Sequence, residues 1–178
     1  MSQAKVITPG STLRGGVDSR STNSQMVAPR KTSRGTEGAD FIFGSASNDD
    51  IFGLGGNDTI YGTPGADVID GGAGTDTVDY RFLGKPITLL PRGGVDGQSS
   101  VGSQLKSIER IFGAANQRNA VDASTATGAK LTAVIFDGNG TTFFRVEVAN
   151  SLTQDFTLKN FTDFKGSLGD DYLDGRFV

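Results

Sequence analysis

The chain of 178 residues contains no cysteine, no histidine and no tryptophan. Without cysteine there is no disulfide and no thiolate zinc site; without histidine there is no imidazole ligand and no nucleophile activated by a histidine base. Long apolar runs are missing too: no stretch approaches a membrane span, and the first residues form no hydrophobic signal core. Gly-Lys occurs only at Gly84-Lys85, ahead of Pro86, which is not a phosphate loop, and no serine elbow of the hydrolase kind is found. No catalytic residue can be named from the sequence, and the chain is expected not to be an enzyme.

What the chain has in excess is glycine, 26 residues, and an uneven distribution of charge. Residues 1–34 hold Lys5, Arg14, Arg20, Arg30, Lys31 and Arg34 against Asp18 alone, while the rest of the chain has 11 basic and 19 acidic residues. A basic arm, 1–34, rich in Ser, Thr and Gly and expected to be flexible or extended, is thus joined to an acidic body.

From Gly35 the body opens on five nine-residue units without a gap: GTEGADFIF, GSASNDDIF, GLGGNDTIY, GTPGADVID and GGAGTDTVD, ending at Asp79. The first position is Gly35, Gly44, Gly53, Gly62 and Gly71; the sixth is Asp40, Asp49, Asp58, Asp67 and Asp76. The eighth is Ile42, Ile51, Ile60, Ile69 and Val78. Such regularity marks a structural repeat. A turn of about six residues and a strand of about three fit the period, with two units completing one coil and coils stacked about 4.8 Å apart. Alternation along each strand turns the eighth side chain inward as a core rung and its neighbours outward.

Two units per coil place each unit beneath the next but one. Asp40, Asp58 and Asp76 then form one column, and Asp49 and Asp67 the other. Carboxylates stacked at this spacing repel unless a cation lies between them. Turn carbonyls plus one carboxylate from each of two coils give the oxygen-rich set of six to eight ligands that suits calcium. Sites are predicted between Asp40 and Asp58, Asp58 and Asp76, and Asp49 and Asp67.

These units resemble the RTX, or hemolysin-type, calcium-binding nonapeptide repeats, with pattern Gly-Gly-x-Gly-x-Asp-x-aliphatic-x. The resemblance covers 35–79 and implies an all-β, right-handed parallel β-roll with Ca2+ between its turns. On that pattern the metal-site residues are Asp40, Asp49, Asp58, Asp67, Asp76 and Asp171, with the turn glycines Gly35, Gly38, Gly53, Gly56, Gly62, Gly65, Gly71 and Gly74. Ser47 at the fourth position of its unit, and glycine at position two only at Gly72, predict a weaker site at Asp49.

Residues 80–178 are expected to continue the solenoid. A terminal unit, GSLGDDYLD, occupies 166–174, with Asp171 sixth and Leu173 eighth. A degenerate copy, GAANQRNAV, occupies 113–121 and puts Arg118 where the aspartate belongs; its guanidinium is expected either to stand in for an ion or to be solvated on an eroded coil. A hairpin is expected over 131–149, turning at Asp137-Gly138-Asn139-Gly140. That turn is not a helix-loop-helix calcium loop, because Thr142 and Val148 stand where such a loop needs Gly and Glu.

The resulting functional expectation is a calcium-folded, secreted or cell-surface structural or interaction module. The family resemblance implies export by a type I route with an uncleaved C-terminal signal; only Gly175, Arg176, Phe177 and Val178 follow the last unit, so the route stays open. The outward aromatics Phe41, Phe43, Tyr61 and Phe52 are expected either to be covered by another segment or to make contacts, including self-assembly. The alternatives are an accessory module for an anionic polysaccharide, drawn by the basic arm, and a calcium-assisted polysaccharide lyase using Arg81, Arg110 or Arg145 as base. Nucleic acid is not an expected partner, since the arm has no aromatic residue for stacking and the body is acidic.

Overall fold

A computed structural model of the protein describes residues 5–7, 30–92, 96–99, 102–124, 129–135, 141–148, 154–166 and 172–175. Each repeat triplet is centred on a β-branched side chain and flanked by glycine-bearing turns, so each forms one short strand. The first seven strands are β1 (Lys5–Ile7), β2 (Lys31–Arg34), β3 (Asp40–Phe43), β4 (Asp49–Phe52), β5 (Thr59–Tyr61), β6 (Val68–Asp70) and β7 (Thr77–Asp79). They alternate between two sheets, odd strands in one and even strands in the other, all parallel.

The registers put Ile42 beside Ile60 and Ile60 beside Val78 in one sheet, and Ile51 beside Ile69 in the other. All five are 0% exposed. The ladder then runs on beyond the repeats, through Ile111 and Leu158 in the first sheet and Leu105 in the second. The core between the sheets is this pair of facing ladders. Each fully buried aliphatic rung stabilises the roll by about 1.5–3 kcal/mol. Ile60→Ala, which opens a hole bounded by rungs on both sides, is expected to destabilise the chain by about 2–5 kcal/mol in urea unfolding followed by circular dichroism.

The remaining strands are β8 (Thr88–Arg92), β9 (Asp96–Ser99), β10 (Gln104–Lys106), β11 (Arg110–Phe112), β12 (Asn119–Asp122), β13 (Ala129–Ile135), β14 (Thr141–Val148), β15 (Gln154–Lys159), β16 (Phe161–Lys165) and β17 (Tyr172–Gly175). One sheet runs β1-β3-β5-β7-β11-β15-β14-β13-β17 and the other β16-β12-β8-β9-β10-β6-β4-β2. Among the described residues there is no helix. The parallel stack thus continues past Asp79, but each sheet also takes in an antiparallel insertion. β13 and β14 pair antiparallel with Ile135 opposite Thr142, within the segment where the sequence predicts a hairpin. The β8–β9 pair is the unanticipated one. Asp96-Gly97-Gln98-Ser99 has no β-branched residue and no apolar alternation, so nothing local announces it as a strand.

The arm also contributes strands. β1 lies against β3 with Lys5 beside Asp40, and β2 lies against β4 with Lys31 beside Asp49.

Candidate metal centre: two columns of buried carboxylates

The sixth-position aspartates are buried, at 0–2% exposure. One oxygen of each later carboxylate has the same task, accepting the backbone N–H of the aspartate one coil earlier. Asp40 N–H donates to Asp58 Oδ1 at 2.8 Å, Asp58 N–H to Asp76 Oδ1 at 2.8 Å, and Asp49 N–H to Asp67 Oδ1 at 2.9 Å. The structure thus brings the aspartates into the two columns that the period demands. It also supplies the next member of each. Asp76 N–H donates to Glu109 Oε2 at 2.7 Å, and Asp67 N–H reaches Ser103 Oγ at 3.5 Å. One column is therefore Asp40, Asp58, Asp76 and Glu109, and the other Asp49, Asp67 and Ser103.

The other carboxylate oxygens divide by column. Ser45 donates to Asp49 through both N–H and hydroxyl, Thr63 Oγ1 donates to Asp67 Oδ2 at 3.0 Å, and Ser103 Oγ donates to Gly65 O at 3.2 Å. In the first column Thr36 Oγ1 donates to Asp40 Oδ2 at 2.9 Å, but the matching second positions of the later units are Leu54 and Gly72, which have no hydroxyl. Asp58 Oδ2, Asp76 Oδ2 and Asp40 Oδ1 are buried without a hydrogen-bond partner. A buried carboxylate oxygen without a donor is costly, and a cation is the usual remedy.

Burial raises carboxyls in both columns. Burial pushes the Asp58 carboxyl up to about 6; the N–H of Asp40 opposes this, and the charges of Asp76 and Asp40 add to it. Burial likewise raises Asp76, opposed by the N–H of Asp58 and reinforced by Glu109 and Asp70. Asp67 is raised by burial too; the Asp49 N–H and the Thr63 hydroxyl oppose this, the charge of Asp49 adds to it, and the charge of Arg30 opposes it. Because the folded Asp58 holds a proton that the unfolded chain has released between pH 3.8 and about 6, metal-free stability falls as pH rises through that window. The calcium-free chain is expected to melt at a higher temperature at pH 4.5 than at pH 7.5, measured in chelator by circular dichroism.

The first-position glycines lie under these carboxylates. A Cβ on Gly53 would stand 2.3 Å from Asp58 Oδ2 and 2.2 Å from Gly71 O. One on Gly71 would stand 2.6 Å from Asp76 Oδ2 and 2.2 Å from Ser107 O. At both places an unpartnered carboxylate oxygen and a carbonyl of the following coil converge on a spot that only glycine leaves open. Gly35 sits in the same way against Asp40 Oδ2 and Gly53 O. Of the other expected glycines, Gly56 and Gly74 pack against Gly38 and Gly56 respectively, Gly65 faces Ser47 O and Asp67 Oδ1, and Gly38 is open beside Thr36 Oγ1. Gly62 instead lies under the buried Tyr80 ring. Asp171 is outside the described residues.

Among the described residues no three acidic side chains converge on one point. A cation here would draw on backbone carbonyls together with one or two carboxylates, the hard-oxygen set that Ca2+ accepts. The residues present fit that ion.

Three residues at the aspartate level were not visible as repeat members: Ser103, Glu109 and Asn119. All obey one interval. Asp40 precedes the core Ile42 by two, as Ser103 precedes Leu105, Glu109 precedes Ile111 and Asn119 precedes Val121. In the degenerate coil the expected occupant was Arg118, and the structure corrects this: an extra residue in the turn moves Asn119 into the seat. Arg118 points outward and pairs with Asp163 at 2.7 Å, its side chain 82% exposed. Asn119 is fully buried. Its Oδ1 accepts from Ile87 N–H and Ala114 N–H, and its Nδ2 donates to the carbonyls of Ala114, Gln117 and Asn160. One carboxamide thus does what a carboxylate and a cation would do together.

Three comparisons with known proteins bear on this site. The profile of the RTX calcium-binding nonapeptide repeat (4 copies) matches residues 32–60 and 52–81. No curated protein matches the chain. Among solved structures, the solution structure of the AlgE6R3 subunit from the Azotobacter vinelandii mannuronan C5-epimerase is 22% identical, covering 70% of this chain and 72% of that one, with a TM-score of 0.43. The matched profile spans the stacked aspartate turns: over residues 32–81 the chain is similar to the RTX calcium-binding nonapeptide repeat, whose ion is Ca2+.

Proposed function

We propose that the chain is a calcium-folded structural and interaction module that works outside the cell, without catalytic activity of its own. The observation that carries this is the set of buried, unpartnered oxygens of Asp40, Asp58 and Asp76, which a bound divalent cation would satisfy. Binding free energy at such sites is folding free energy, because the turns that form them are glycine-rich and disordered when the coil is not closed. Millimolar calcium, an extracellular condition, supports folding where sub-micromolar calcium does not; RTX repeats have that usual setting.

Contact is supported by the outward face of the first sheet. Phe43 and Tyr61 stack with ring centroids 4.3 Å apart at 4°, and Phe82, 80% exposed, leans on Tyr61 at 6.2 Å. Such a ladder suits another protein surface, a second copy of the chain, or the rings of a polysaccharide. The lyase reading is weakened at Arg81, which Asp79 grips through both carboxylate oxygens and holds protonated, unfit to act as a base. Titrating the chelator-stripped chain with CaCl2 tests the main reading: strand signal in circular dichroism is expected to rise with calcium, and a spectrum indifferent to calcium would refute it. Light scattering in the same titration reports self-assembly, and a glycan panel reports the polysaccharide alternative.

A further inference from the structure

The two edges of the roll differ in what their carboxylates already have. Resting on the calcium-folded reading above, we propose that Ca2+ is held along one edge only, in the column of Asp40, Asp58 and Asp76 that Glu109 ends, while the opposite edge of Asp49, Asp67 and Ser103 is closed by its own hydroxyl and guanidinium groups and takes no ion. This removes the site that the sequence pattern predicts between Asp49 and Asp67.

Three independent features point the same way. First, the unpartnered buried carboxylate oxygens all belong to the first column, whereas hydroxyls of Ser45 and Thr63 serve Asp49 and Asp67, and in the first column only Asp40 has such a hydroxyl, from Thr36. Second, a guanidinium stands beside the second column. Arg30 pairs with Asp50, donates through Nη2 to Asp49 O at 2.8 Å, and acts electrostatically on Asp67. Asp67 also feels the charge of Asp49, whereas the charges acting on Asp58 and Asp76 are acids only, ending in Glu109. Third, the turns are built differently. Leu54 at φ 78° and Gly72 at φ 94° give the turns 53–58 and 71–76 a left-handed second residue, followed by left-handed Gly56 and Gly74. Among the described residues no position in the turns 44–49 and 62–67 has positive φ; turn 35–40, which opens the first column, is built like these, with Thr36 donating to Asp40 Oδ2, so the left-handed pair belongs to the turns of Asp58 and Asp76. A side-chain hydroxyl at the second position and a left-handed backbone there are alternative ways to complete a turn, and only the second leaves the aspartate's outer oxygen open.

Isothermal titration of the full-length, chelator-stripped chain with CaCl2 tests this, with melting temperature as a second readout. Asp49→Asn together with Asp67→Asn keeps an oxygen to accept the neighbouring N–H and removes the charge; bound calcium per chain and affinity are expected to stay within about threefold of the unsubstituted chain. Asp58→Asn with Asp76→Asn is expected to weaken binding at least about tenfold, the order seen when even the outer partners of a metal site are removed. Should that pair fold poorly, Ser45→Ala with Thr63→Ala leaves the first column untouched and is expected to raise bound calcium by about one ion per chain, by freeing Asp49 Oδ1 and Asp67 Oδ2. A fall in stoichiometry in the Asp49 and Asp67 variant, or an unchanged number in the Ser45 and Thr63 variant, would overturn the one-edge assignment while leaving a calcium-folded module intact. An unsubstituted chain that binds no calcium would overturn both.

Discussion

Chelation of calcium is expected to lower the melting temperature by about 10 °C and, at physiological temperature, to leave much of residues 35–79 without fixed structure. With free calcium near 2 mM and a dissociation constant of about 0.1 mM, each independent site adds about 1.8 kcal/mol through linkage. Two gaps in the first column, between Asp40 and Asp58 and between Asp58 and Asp76, give about 3.6 kcal/mol. For a chain of this size each kcal/mol moves the midpoint by about 2–4 °C. The arithmetic matters because a small domain's whole stability is only about 5–15 kcal/mol. Differential scanning fluorimetry in 2 mM CaCl2 and in excess chelator gives the shift directly. Coincident melts in the two buffers would mean that the unpartnered oxygens of Asp58 and Asp76 find another remedy.

Gly74→Ala is expected to be the most damaging small substitution in the turns, costing about 3 kcal/mol or more. Gly74 sits at φ +140°, a backbone conformation closed to L side chains, and a Cβ there would stand 1.9 Å from Gly56 O. Strain of that kind costs about 1–3 kcal/mol, and forcing apart two stacked backbones adds a comparable amount. Gly84→Ala is the control: its φ is +73°, but a Cβ would meet nothing within 4 Å. Only the strain should remain there, about 1 kcal/mol. Chemical denaturation of both variants separates close coil stacking from simple turn strain. The Gly74 variant should also lose calcium response, since the turn it distorts carries Asp76.

The repeat made the first half of the molecule legible. A glycine, an aspartate and an aliphatic residue at fixed places in nine fix a turn, a buried carboxylate and a core rung, and stacking two units per coil assigns Ile42, Ile60 and Val78 to one ladder without further information. Beyond Asp79 the frame is lost, for reasons that can be named. Glu109 and Ser103 perform the aspartate's backbone task with different side chains, so a search for Asp passes over them. One added residue between Gly113 and the rung at Val121 shifts the register, which put Arg118 in the place that Asn119 fills. β9 has no apolar period because its pairing is dictated by its neighbours, β8 and β10. At position two the units hold Thr36, Ser45, Leu54, Thr63 and Gly72, of which only Gly72 fits the repeat pattern. Where a hydroxyl is absent, at Leu54 and Gly72, the second oxygen Oδ2 of the unit's aspartate has no donor.

The buried carboxamide of Asn119 is expected to give the roll a direction of growth. A winding locked by its own amide has no need to wait for a dissolved ion, so the segment around Val121 and Phe161 offers a ready-made template while the upstream windings are still loose. In a stack where each layer touches only its neighbours, order spreads from whichever layer forms first. Zippering would therefore run backward along the chain, toward the basic arm, with Glu109 marking where the journey begins to depend on the salt outside.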